Sequence, residues 1–155
     1  MNDGVSPLLS IENLRVTFTG QAKPVTAVDG VDLALARGEV VALLGESGSG
    51  KSVTLRSILR LHAAHKTRIE GRISVDGLDV MALAQRELSQ FRGKTVSMVF
   101  QEPMLALDPV YTVGQQIVEA IRRHEPISYA EARQRALALF EQVRIPSPEI
   151  GRAHV

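Results

Sequence analysis

Cysteine is absent from this 155-residue chain, which excludes disulfides and thiolate metal sites. Aromatic residues make up only 4%, too few for a platform on which the bases of a single strand could stack. An excess of one charge is also lacking. Eighteen basic residues face 17 acidic ones for a net charge of +1, and no basic tract occurs, so the chain carries no nucleic-acid footprint. Long apolar runs are missing too. The longest clean ones, such as Val40 to Leu44, hold five residues, against the roughly 20 that a spanning helix requires. Met1 to Ser6 carries Asp3 and no basic residue, unlike a secretory signal. Any association with a membrane is therefore expected to come through a partner. What is present is ordinary for a globular domain with one modest core: 45% hydrophobic and 23% charged residues.

Hydrophobic periodicity divides the chain into short elements. Leu8 to Phe18 alternates apolar and polar residues and reads as a strand. Val25 to Leu35 alternates again, with Val31, Leu33 and Leu35 on one face. After the turn Arg37-Gly38-Glu39, the wholly apolar run Val40 to Leu44 is expected to be a strand buried on both faces. Lys51 to Leu61 has helical spacing at Val53, Leu55, Ile58, Leu59 and Leu61. Ile69 to Val75 reads as a strand ending in the turn pair Asp76-Gly77. Gln85 to Phe91 reads as a short helix closed by Gly93, and Thr95 to Phe100 as another strand. Val113 to Arg123 is expected to be helical. Ser128 with Glu131 forms a capping box that opens a last helix to about Arg144, with Ala132, Ala136, Leu139, Phe140 and Val143 as its buried stripe.

The strongest motif is Gly45-Glu46-Ser47-Gly48-Ser49-Gly50-Lys51-Ser52, which fits the phosphate-loop pattern G-x-x-x-x-G-K-S/T at every fixed position. Its place between an apolar run and an apolar-faced helix is the context that the chemistry needs. The glycines admit backbone angles closed to other residues, so the loop can turn its N–H groups inward around a phosphate. The helix that follows aims its positive end at the same anion. Lys51 is expected to reach the β- and γ-phosphates of a nucleotide. Ser52 is expected to ligate Mg2+, a cation that keeps several waters and takes few protein ligands. Val53, next in sequence, is assigned to the same nucleotide site. The loop alone does not name a function, because kinases, GTPases and many ATPases share it.

The wider sequence narrows the choice. The run Gly38 to Ser52 resembles the ATP-binding domain of ABC transporters. About fifty residues beyond Lys51, Val99-Phe100-Gln101-Glu102-Pro103 looks like that family's Q-loop. The stretch from Phe100 to Ile117 is especially similar to the ATPases of di- and oligopeptide importers, including the nickel and glutathione type. The resemblance covers about Leu8 to Pro148. It implies an α/β fold of the ABC-type P-loop NTPase kind: an antiparallel β-subdomain, part of a RecA-like core and the start of a helical subdomain. It also implies roles. Gln101 would ligate Mg2+ or touch the attacking water and sense the γ-phosphate. Glu102 to Val113 would face a coupling helix of a membrane subunit. An aromatic at the end of the first strand would stack on adenine. Phe18 is the candidate, and the alternative that it is a core or edge residue stays open.

By the same resemblance, the bound molecules are ATP and Mg2+. The partners are a second ATPase subunit (identical or related), the transmembrane permease subunits and, indirectly, a periplasmic solute-binding protein. The expected location is the cytoplasmic face of the inner membrane, held peripherally. Two other readings remain at this point: a soluble ABC ATPase of repair or translation, and a small-molecule P-loop kinase. The strands before the phosphate loop argue against the kinase.

Other residues have plainer readings. His62 and His65 lack metal-ligand partners and are expected on a solvated loop. Asp76 and Asp79 lie in a turn, Asp108 is a turn former or N-cap, and Arg122-Arg123 is a solvated helix face. The family's LSGGQ-like signature, its Walker B Asp-Glu and its switch histidine do not occur in these residues. The expectation is therefore that residues 1–149 are the N-terminal part of such a domain, inactive and unstable by themselves. Ile150 to Val155 ends without a cap and matches what one frame of a common sequencing-adapter DNA encodes. It is expected to be a non-native tail.

Overall fold

The computed structural model describes residues 6–20, 22–102 and 106–144. The tail at 150–155, Pro103 and the loop at Pro146 to Pro148 lie outside the described residues. The chain divides into two compact units, residues 1–89 and 90–155.

In the first unit, alternation gives the expected strands β1 (Leu9–Phe18), β2 (Val25–Leu35) and β3 (Thr67–Val75), and a short β4 (Leu78–Asp79) follows that was not expected. They pair antiparallel in the order β2-β1-β3-β4. Leu9, Ile11, Leu14 and Val16 of β1, with Val28, Ile73 and Val75, turn inward and form the core. The alternation in β1 is interrupted at Glu12-Asn13, both exposed. Pairing with both neighbours shifts register there. Asn13 takes a left-handed φ of 47°, so one extra residue is absorbed and Leu14 returns to the core. Opposite this bulge, Gly71 has no alternative. A Cβ there would lie 2.4 Å from the Asn13 carbonyl oxygen, and its φ is +97°.

Helix α1 (Lys51–Ile58) is shorter than its periodicity suggested. It closes in a Schellman arrangement, with Leu61 N–H donating to Arg56 O and Arg60 N–H to Ser57 O. Arg60 occupies the left-handed position with φ 49°. The buried face also differs from the expected one. Thr54, Ser57, Ile58 and Leu59 are buried, whereas Leu55 and Leu61 are exposed. Burial of the two hydroxyls is possible because each is satisfied by the preceding turn: Thr54 Oγ1 donates to Gly50 O at 3.1 Å, and Ser57 Oγ to Val53 O at 2.8 Å.

Two expected strands do not form. Val40 to Leu44 has no strand assignment, and Val40 and Leu44 are 95% and 91% exposed. Thr95 to Phe100 makes only an isolated parallel bridge, Arg92 to Val96, and Val99 is 88% exposed. The physical reason is the same in both cases. A short apolar run becomes a strand of a parallel sheet only when strands flank it, and among the described residues neither run has a strand beside it.

Helix α2 (Gln85–Lys94) crosses the division between the units, and its helical backbone ends before Arg92 and Gly93, as the glycine suggested. In the second unit, α3 (Val113–His124) and α4 (Tyr129–Gln142) each open with a capping box, Thr112 with Gln115 and Ser128 with Glu131. They pack through Val118, Ala132 and Ala136, with Ile117, Ile121 and Ile127 around them. Phe140 is buried as expected, whereas Leu139 and Val143 are exposed.

Candidate functional site

The segment between Gly45 and Ser52 is built around Lys51. Its ammonium donates to Gly45 O at 2.7 Å, Glu46 O at 2.6 Å and Ser49 Oγ at 3.1 Å. The loop therefore curls around its own cation, and a turn bond from Ser49 N–H to Glu46 O supports the curl. Gly50 ends the loop and caps α1 with φ 87°. A Cβ on Gly50 would stand 2.6 Å from Ala27 O and 3.2 Å from a methyl of Val28. The glycine is thus required twice, by its left-handed backbone and by close seating on β2. Gly48 has φ 84° but open space around it, so only backbone conformation demands glycine there.

Helix α1 begins immediately at Lys51, and its first turn has no acidic residue to compete for an anion. Ser52 is exposed at the second position of this helix, and Glu46, Ser47 and Gly48 are exposed along the loop. Among the described residues no group of three or more histidines or carboxylates could hold a metal. The exposed Ser52 hydroxyl is a group that could ligate a Mg2+ ion together with the oxygens of a bound phosphate. That fits the chemistry of this cation, which binds through few protein ligands plus substrate phosphates.

Phe18 ends β1, half-buried between its strand partners Val25 and Thr67. Its ring meets that of His62 edge-on, with centroids 5.6 Å apart and planes at 75°. His62 is thus not the solvated loop residue that its sequence suggested. It is half-buried, with Nε2 3.1 Å from Val53 O. A carbonyl only accepts, so Nε2 carries the hydrogen in this contact. No periodicity pointed to His62, because it lies beyond the helix end. His65 is exposed, as expected.

Gln101 belongs to the second unit and is exposed in a bend. The chain after it is fastened to α3 by a residue the sequence reading passed over. Gln116 Nε2 donates to Asp108 O at 2.8 Å and Tyr111 O at 3.0 Å, and Gln116 Oε1 accepts from Asp108 N–H at 2.9 Å. Asp108 is a turn former, as expected, with Oδ1 accepting from Val110 N–H at 2.9 Å. A glutamine on a helix carries no sequence signal for such a clasp. Asp76 is a turn residue paired with Arg37, whereas Asp79 ends β4 rather than lying in the turn, and accepts from Met81 N–H. Arg122 and Arg123 are exposed.

The family model described as "ABC transporter" matches residues 28–153. A protein of Brucella melitensis named as a putative peptide import ATP-binding protein is 46% identical over 141 residues, which span 91% of this chain and 42% of that protein. A probable D,D-dipeptide transport ATP-binding protein of Escherichia coli K12 is 45% identical over 145 residues, spanning 90% of this chain and 43% of that one. The chain thus spans about two fifths of the length of these relatives. Among solved structures, a dimeric ATP-binding cassette in a post-hydrolysis state with ADP and Pi superposes with a TM-score of 0.71 at 26% identity, covering 90% of this chain and 58% of that one.

Proposed function

The chain belongs to the ABC transporter family, and on that premise we propose that it is the nucleotide-binding front part of an ATPase subunit that powers import of peptides or related solutes. The observation that carries this reading is the loop from Gly45 to Ser52 closed around Lys51 at the start of α1. The names of the similar proteins support peptide-class import over a soluble ATPase of repair or translation.

The roles proposed for the site residues follow the pattern of the family. Backbone N–H groups of Glu46, Ser47, Gly48, Ser49, Gly50, Lys51, Ser52 and Val53, with Gly45 as the entry hinge, surround the polyphosphate of ATP. The Lys51 ammonium exchanges the carbonyls of Gly45 and Glu46 for β- and γ-phosphate oxygens, a stronger, charge-assisted pairing. The hydroxyl of Ser52 would ligate Mg2+, and Gln101, by the family resemblance, would serve as a second ligand or touch the attacking water. When bound, the metal would supply neutralisation of phosphate charge. Phe18 offers its ring to the base. The loop behind Gln101, clasped to α3 by Gln116, carries motion of Gln101 to the surface that meets a permease.

The full gene product works with a second ATPase subunit and with transmembrane permease subunits, and a periplasmic solute-binding protein delivers the solute. It sits peripherally at the cytoplasmic face of the membrane. Attachment runs through the permease, and no described helix is long and apolar enough to cross a bilayer. Hydrolysis is assigned to the full gene product, because the signature and Walker B groups it needs do not occur in residues 1–155.

Co-expression of the full gene product with the permease genes beside it tests the reading. A complex that co-purifies with a polytopic membrane protein and hydrolyses ATP in response to peptide-loaded binding protein is expected. A gene product that hydrolyses ATP but stays free of every permease would overturn the transport assignment.

A further inference from the structure

One imidazole joins two parts of the nucleotide site that the sequence keeps apart. His62 follows α1, while Phe18 ends β1, more than forty residues earlier. The Phe18 ring is only half-buried and meets His62 edge to face, 5.6 Å between centroids. The other side of the same imidazole is anchored: Nε2–H donates to Val53 O at 3.1 Å, in the first turn of the helix that opens at Lys51. Val53 O also accepts from Ser57 Oγ at 2.8 Å, and Ser57 is fully buried, so the anchor is itself a fixed part of the molecule. A half-exposed phenylalanine at a strand end has two rotatable bonds, and without a neighbour its ring samples several orientations. An edge-to-face partner held by a hydrogen bond to the phosphate-loop helix removes that freedom.

We propose that His62 is a positioning residue for the base of the nucleotide: it fixes the Phe18 ring and refers its orientation to the helix that holds the phosphates. This rests on the proposed ATP site, with Phe18 at the base. It assigns His62 no contact with the phosphates and no part in hydrolysis. The effect is confined to ligands that carry a base, because a ring that waits in place loses less freedom on stacking.

The test compares Mg-ATP with Mg-tripolyphosphate as ligands of the full gene product by calorimetry. His62→Ala is expected to weaken ATP binding about three- to tenfold, the span of an aromatic pair's coupling, and to leave tripolyphosphate binding unchanged. Phe18→Ala should weaken ATP similarly, and the double variant should be no worse than Phe18→Ala alone. His62→Gln keeps an N–H donor for Val53 O without the ring. It reports on a variant that retains the anchor, and it too should lose ATP affinity selectively. Additive losses, or equal losses for both ligands, would overturn the proposal, as would no loss at all. Lys51→Ala separates this from the underlying reading: it should abolish binding of both ligands. If it does not, the phosphate-site assignment fails rather than the role of His62.

Discussion

The ammonium of Lys51 lies 2.7 Å from the carbonyl oxygen of Gly45, six residues earlier, and so draws the phosphate loop closed on itself. With Glu46 O at 2.6 Å and Ser49 Oγ at 3.1 Å, the cation has three oxygen partners within the loop. All three are neutral. A phosphate oxygen carries charge and competes for the same ammonium with roughly twice the strength per bond. The same ammonium that closes the loop is thus the group a phosphate would engage.

The two glycines that end this loop should respond differently to a methyl group. Gly48→Ala meets open space and has only a left-handed backbone to pay for, about 1–2 kcal/mol of stability. Gly50→Ala has the same backbone strain and also drives a Cβ to 2.6 Å from Ala27 O. It should cost at least twice as much, because a β2 carbonyl cannot swing aside as a flexible side chain can. Urea unfolding of the full gene product without nucleotide measures both. Equal losses would mean that β2 does not constrain the loop.

The start of α4 should be sensitive to acid. The Ser128 hydroxyl and then the Ser128 backbone N–H donate to the Glu131 carboxylate and hold its carboxyl below the usual glutamate range. A lowered folded pKa means that the box contributes fully above the ordinary value of 4.5 and loses its contribution as pH falls through the folded value. The fraying of α4 should therefore appear below about pH 4.5 and not near neutrality. Ser128→Ala removes the hydroxyl but keeps the backbone donor, so it should raise the Glu131 titration, followed by NMR, part of the way toward the ordinary range. A titration unmoved by that change would contradict the capping geometry.

Much of the fold was legible because its signals are local. Alternation placed β1, β2 and β3, Gly93 marked the end of α2, and Ser128 with Glu131 marked the start of α4. The phosphate loop was legible for the same reason, as a run of eight residues with a fixed chemistry. What failed was what depends on distant chain. Val40 to Leu44 has the composition of a buried parallel strand, but composition does not supply the strands beside it. The contact between His62 and Phe18 and the Gln116 clasp arise from tertiary placement and leave no periodic trace.

The unpaired apolar runs lead to a contrast between two lengths of chain. Val40, Leu44 and Val99 are almost fully exposed. The 155-residue polypeptide alone should bind a hydrophobic dye and show no ATP turnover. Val40→Thr with Leu44→Thr should reduce the dye signal there with little change in stability, since exposed positions contribute little. In the full gene product, where flanking strands are expected to bury both positions, the same pair should cost about 1–3 kcal/mol or more. Equal behaviour in the two proteins would show that this run is not a sheet strand in either.

The most direct test of the whole account is a binding titration of Mg-ATP to the full gene product beside its Lys51→Ala variant. Saturable binding that the substitution abolishes, with the far-UV spectrum unchanged, is the predicted result. Equal affinity of the two proteins for Mg-ATP would contradict it, for then the loop from Gly45 to Ser52 would not be where the phosphates sit.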